Sequence, residues 1–202
     1  RRVLFRSDPG QQYLQQSVEA ARRNVDATDD SFIRFPKGLE LASIALVSED
    51  GASTFYAERD PLPLAPTTFV KTTVYPLLQR GCHTLPDHSL AEALLAFLRG
   101  QRSPHIIADY PNDLRLFRQV ISWYRPGAGC RLEELQSVPC TLMERDRFTT
   151  SHLESWFSKH PDLLLSRHHA LVDANALRMA WMVSTGRLDD NFDEQERLIW
   201  LA

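Results

Sequence analysis

The stretch LELASIALVSEDGASTFYAERD (residues 39–60) decides the fold. Its first half holds an unbroken apolar run, Ile44 to Val47. A short continuous run without helical periodicity suits a strand covered on both faces. The run gives way to Asp50-Gly51, and Asp-Gly supplies the backbone conformations that a tight reversal needs. STFYAER (53–59) then resumes with strand-forming residues. The two halves read as a β-hairpin whose first strand is buried.

Helices and one further strand surround this hairpin. Upstream, QQYLQQSVEAARRN (11–24) sets Tyr13, Leu14, Val18 and Ala21 at helical spacing. Downstream, DPLPLAP (60–66) has the prolines of a loop. TTFVKTTVYPLLQR (67–80) puts Phe69, Val70, Val74, Leu77 and Leu78 on one face, and Pro76 kinks it. SLAEALLAFLRG (89–100) predicts a helix with Ser89 as N-cap and Gly100 just past its end. HIIAD (105–109) is a short apolar strand that ends on a polar residue, and NDLRLFRQVISWY (112–124) is an amphipathic helix. After the turn RPGAGC (125–130), TTSHLESWFSKHP (149–161) reads as a threonine-capped helix and ALVDANALRMAWMV (170–183) as the last strong one. The acidic tail, 184–202, offers Leu198, Ile199 and Trp200 for packing. An antiparallel start followed by alternating strand and helix predicts an α/β domain.

Composition narrows the function classes. The chain has 202 residues, 43% hydrophobic and 24% charged, which suits one globular domain with a sizeable core. A net charge of −3 gives no global basic field for gripping long duplex DNA. Cys82, Cys130 and Cys140 form no CxxC spacing and read as reduced thiols, so a cytoplasmic protein is expected. No apolar run approaches the roughly 18 residues of a membrane span, and no signal peptide is evident. RRVLFRS (1–7) resembles the in-frame translation of a synthetic sequencing adapter. On that reading the natural N-terminus is lost, and the segment is set aside from fold reasoning. The expected organisation is then a helical segment over 8–24, a domain over 25–183 and a tail over 184–202.

Three clusters could carry chemistry. In HHALVDA, His168 lies on the loop entering a helix and Asp173 faces out from its first turn, so the two can converge. In IIADYPNDLRLF, Asp109 ends a strand and Asp113 opens a helix, where open α/β sheets place ligands. In NVDATDDSFIRF, Asp26, Asp29 and Asp30 form an acidic group before the hairpin. Each has a plain structural explanation: polar caps, an Asx-type turn, a solvated loop. Together they offer carboxylates from separate segments, which two-metal phosphodiester chemistry requires on ions about 4 Å apart. A neighbouring histidine could take the proton from the attacking water.

The order of hairpin, ADYPND and HHALVDA resembles the DEDDh 3′–5′ exonucleases of ribonuclease H-like fold, and most closely the small ribonuclease T-like exoribonucleases. The likeness runs from about Asp29 to Met182. Its most specific pieces are ELASIALVSEDGASTFYAE and the H-x-A-x-x-D-A pattern of His168, Ala170, Asp173 and Ala174. The resemblance implies a mixed sheet, an antiparallel hairpin then parallel strands, flanked by helices. It implies a metal-dependent 3′–5′ exoribonuclease acting on single-stranded RNA, or DNA, with two magnesium or manganese ions. It makes Asp113 and Asp173 metal ligands and His168 the general base, with His169 a neighbour. The first motif departs from the family's Asp-x-Glu. One register puts Asp29 and Ser31 there, another Asp26 and Thr28, and neither supplies the glutamate. Asp29 is the expected third metal ligand. Among the aromatics that could stack on a terminal base, Phe32 is preferred over Tyr110 and Phe117, each of which could equally be core. A homodimer is plausible by the same likeness.

Two other readings stand beside this one. A catalytically impaired module would hold a nucleic-acid 3′ end without cutting it. A protein-interaction domain would leave Asp29, Asp113, His168 and Asp173 scattered.

Overall fold

The computed structural model describes residues 2–7, 40–124, 138–143 and 147–188. Six strands are β1 (Arg2–Ser7), β2 (Ser43–Ser48), β3 (Thr54–Asp60), β4 (Thr84–Pro86), β5 (His105–Ala108) and β6 (Cys140–Leu142). They form one mixed sheet in the order β4-β3-β2-β1-β5-β6. The hairpin is antiparallel, with Ala45 opposite Tyr56 and Leu46 opposite Phe55. Its turn closes through Gly51 N–H to the Ser48 carbonyl (2.8 Å), with Gly51 at φ +72°. Asp50 steadies it by accepting from the Ser48 hydroxyl and from the Ala52 N–H.

Arg2–Ser7, set aside in the sequence reading, occupies the middle of the sheet. It runs antiparallel to β2 and parallel to β5. The physical reason is that β2 and β5 otherwise present unpaired ladder edges. Residues 8–39 lie outside the described residues, so the expected helix at 11–24 and the acidic segment at 26–31 do as well. The turn at 125–130 and the tail from 189 onward are likewise outside.

Helices cover both faces, and the strand residues divide accordingly. Ile44, Leu46, Ile106 and Ala108 pack with Leu90, Leu94 and Leu98 of α1 (Asp87–Arg99) and with Leu116, Phe117 and Val120 of α2 (Pro111–Trp123). Their neighbours Ala45, Val47 and Ile107 face the other way, toward Ala170, Ala174 and Trp181 of α5 (Ala170–Ser184). This alternation explains the unbroken apolar run: every residue of β2 is buried, each on one of two covered faces. Behind α5 lie α3 (Arg147–Lys159) and α4 (Pro161–Leu164), with Leu153, Trp156 and Phe157 packed on Ala176, Leu177 and Ala180. Among the described residues no helix is long and apolar enough to cross a membrane.

Several boundaries differ from expectation. The helix predicted from Ser89 starts at Asp87, because extended Pro86 ends β4 and serves as N-cap, leaving Ser89 inside the first turn. The threonine-capped helix begins at Arg147 and encloses Thr149, which is buried. Residues 67–80 make no regular kinked helix. A widened π-turn at Val70–Val74 passes into a 3-10 turn at Tyr75–Leu77, because Pro76 has no N–H to continue the ladder. This strap, 61–83, is anchored by Val70 and Val74 packed on Ala42.

Candidate functional site

The registers place several chain ends together. Leu4 pairs with both Val47 of β2 and Ile107 of β5. Ser43, at the start of β2, sits opposite Glu58, near the end of β3. The carboxyl ends of β1, β3 and β5 therefore share one end of the sheet. Parallel strands open their ligand crevices at this end.

Asp109 and Asp113 stand there. Asp109 directly follows β5 and is 5% exposed. Pro111 opens α2, its missing N–H costing nothing at the first helical position. Asp113 lies in the first turn, 1% exposed, and its N–H donates to the Tyr110 carbonyl at 3.1 Å. A carboxylate in a first turn gains from the helix dipole.

Asp173 and His168 approach the same end on the opposite face. α5 starts beside Tyr56 and Ala45 and runs toward the hairpin turn, where the Arg178 Nε donates to the Glu49 carbonyl at 2.8 Å. Its first turn is therefore at the Glu58 end. The sequence reading has Asp173 facing outward; it is instead buried, 2% exposed, because this helix lies against the sheet. Its Oδ1 accepts the backbone N–H of His168 at 3.3 Å. His168 has φ +80°, a conformation that non-glycine residues rarely adopt. Its ring is half-buried and meets Phe69 of the strap edge-on, centroids 5.0 Å apart. The spacing of five residues thus works through a carboxylate reaching back to the loop before its helix.

The two histidines separate as their positions suggest. His169 caps α5 in an extended conformation and is 6% exposed, its ring 4.6 Å from that of Tyr56. Burial holds its pKa below the usual histidine range, His83 adds to that, and the charges of Glu58 and Asp173 oppose it.

Glu58 is the residue that the sequence reading missed. It is fully buried on the face that carries Tyr56. Its Oε1 accepts from the Tyr56 hydroxyl and the Gln79 N–H, both at 2.6 Å. Its Oε2 accepts from the Arg80 N–H at 3.0 Å and lies 3.5 Å from the Arg80 guanidinium. Burial, then the hydrogen bond and charge of Glu58, push the Tyr56 hydroxyl well above its usual pKa and keep it a donor. Period-2 alternation was the available signal, since it puts Glu58 on the same face as Tyr56, the face that α5 covers.

Asp113 stands on one face at this end of the sheet, and Asp173 and His168 approach it from the other. Asp29, Asp26 and Phe32 lie outside the described residues, as do Ser31 and Thr28. Phe117 is core, 1% exposed, and so is not a stacking surface; Tyr110 is half-buried. Among the described residues no three His, Cys, Asp or Glu side chains come close enough to hold a metal ion. The donor chemistry still suits a hard cation: buried carboxylate oxygens are what magnesium takes. Cys82 and Cys140 are free thiols. No family model matches this sequence, and no curated protein matches it.

Proposed function

We propose that the chain is a metal-dependent 3′–5′ exonuclease of ribonuclease H-like fold, acting on single-stranded nucleic acid with RNA favoured. The observation that carries this reading is the Asp173–His168 pairing at the sheet end that also bears Asp113. The strand order supports it, since an antiparallel hairpin followed by parallel strands is what the resemblance implied. Asp113 and Asp173, joined by Asp29 from the undescribed segment, would hold magnesium or manganese. The ions would supply neutralisation of the scissile phosphate's charge. His168 accepts the proton of the attacking water, and a half-buried ring on a loop is accessible enough to do so. The Asp173 carboxylate fixes the His168 backbone, and Phe69 limits the ring's orientation. A cytoplasmic location and a homodimer belong to the same reading.

The test is release of labelled mononucleotide from a single-stranded oligonucleotide labelled in its 3′-terminal nucleotide, with magnesium present. His168→Ala is expected to lower turnover by about 10²–10⁴, the usual range for a general base. Asp173→Ala should abolish it. Full activity in either variant would overturn the reading. The missing glutamate favours a second one, a 3′-end binder without turnover. Metal-dependent binding of the strand with no hydrolysis would select that second reading, and Ser31→Glu should then raise turnover where Asp29 is the first ligand.

A further inference from the structure

We infer that the pocket between α5, the α3–α4 turn and the strap binds a planar amino-substituted heterocycle, the class to which adenine and cytosine belong. The choice of a nucleobase within that class rests on the proposed nuclease reading. The geometry stands without it.

The pocket holds about 260 Å³. That is far more than the sub-water voids of a packed interior, and slightly less than the roughly 300–1,000 Å³ of sites for drug-sized ligands. One flat ring system is the fitting occupant. Leu77, Trp156, Leu163 and Val172 supply apolar wall. Trp156 stacks on His160 with centroids 4.5 Å apart and rings 28° from parallel, so its indole is held in a fixed plane. A fixed aromatic plane is what a base stacks on.

Of the polar residues that line the pocket, Gln79, Ser166, His169 and Asn175, the last two carry buried side-chain atoms with no hydrogen-bond partner among the described residues. Asn175 is 2% exposed, and its Nδ2 donates to the Leu171 carbonyl at 2.8 Å. This fixes the amide so that Oδ1 is the remaining acceptor, and among the described residues it has no hydrogen-bond partner. Neither ring nitrogen of His169 has one among them either. A neutral imidazole offers one N–H donor and one acceptor. A ligand that serves both groups offers an amino N–H to Asn175 and a ring nitrogen to His169. That is the edge of an aminopurine or aminopyrimidine. His169 also adjoins His168, so a base held here lies one residue along the chain from the proposed proton acceptor.

The experiment is an NMR titration of the full chain with adenosine, in a metal chelator, following the Trp156 indole N–H, the His169 ring and the Asn175 amide. Without metal or phosphate, its outcome is independent of whether the chain cleaves anything. Saturable shifts confined to these three groups are expected. Purine riboside, which lacks the amino group, should bind roughly three- to tenfold more weakly, the worth of one neutral hydrogen bond. That comparison is made on the unaltered protein. Val172→Phe, at a half-buried wall position, should abolish the shifts while the circular dichroism spectrum is retained. Displacement of adenosine by a short oligoadenylate would assign the site to a base of a bound strand. No displacement would assign it to a free nucleoside. Absence of shifts at millimolar adenosine, equal binding of purine riboside, or undiminished shifts in a folded Val172→Phe protein would overturn the proposal.

Discussion

Replacing Glu58 by glutamine changes one atom's chemistry in the best-connected buried carboxylate among the described residues. The amide oxygen can take the Oε1 position and keep the bonds from Tyr56 and Gln79. The amide nitrogen must then face the Arg80 N–H, which donates to Oε2 at 3.0 Å. Two donors oppose each other and one charge-assisted bond is lost, which costs about 1.5–3 kcal/mol. The guanidinium contact at 3.5 Å adds little, because the Arg80 side chain is 38% exposed and such pairs contribute about 0–1 kcal/mol. Arg80 also sits at φ +56°, a conformation that only a surrounding hydrogen-bond frame sustains. We expect a loss of about 2–3 kcal/mol, read as a lower urea midpoint with unchanged slope. For a chain of this size the thermal midpoint should fall by about 4–12 °C.

A local measurement distinguishes this account from general damage. The Gln79 and Arg80 amides donate to Glu58, so their hydrogen exchange should accelerate more than that of amides within β2. A 2 kcal/mol loss corresponds to about 30-fold faster exchange where opening is local. Because Leu77 walls the pocket and lies two residues from Gln79, adenosine binding should weaken as well. A Glu58→Gln protein within about 0.5 kcal/mol of the parent, with Arg80 exchange unchanged, would refute the reasoning.

Three further outcomes are expected. Gly51→Ala should destabilise the protein by about 1–2 kcal/mol in urea unfolding, since alanine resists a positive φ and its Cβ would come 3.2 Å from Cζ of Arg178. Leu94→Ala, at a fully buried position facing β2 and β5, should cost about 2–5 kcal/mol by the same assay. His169 has a folded pKa below its unfolded value of about 6.5, so the unfolded chain binds the proton more readily as the pH falls. Its stability contribution is present above about pH 6.5 and declines below it. Urea midpoints between neutral and mildly acid pH should fall more steeply for the parent than for His169→Asn, and equal slopes would contradict the assignment.

What could be read from the sequence tracks how much local pattern each element carries. Ile44–Val47 and Asp50-Gly51 gave the hairpin almost to the residue, because a covered strand and an Asp-Gly turn are both local signals. α1, α3 and α5 were legible from their apolar content; α5 starts at the expected Ala170, and the starts of α1 and α3 moved where a flanking proline or a buried threonine outweighed capping preference. Thr84–Pro86 and Cys140–Leu142 were missed, since three residues contain no period and pair only because a long strand lies beside them. Glu58 was missed for a related reason. A lone glutamate in a strand reads as solvent-facing until the helices on both faces are known.

The same distinction holds at the candidate site. Asp113, His168 and Asp173 were legible because each sits beside a helix start, and helix starts have local signals. The middle of the sheet is set instead by ladder partners on each side. Arg2–Ser7 fills that seat through backbone pairing to β2 and β5, and backbone pairing is nearly indifferent to sequence. Deleting residues 1–7 removes β1 and leaves β2 and β5 each without that ladder partner, so it should unfold the protein. A shortened chain that keeps the circular dichroism spectrum and urea midpoint of the parent would contradict the place that Arg2–Ser7 holds in the sheet.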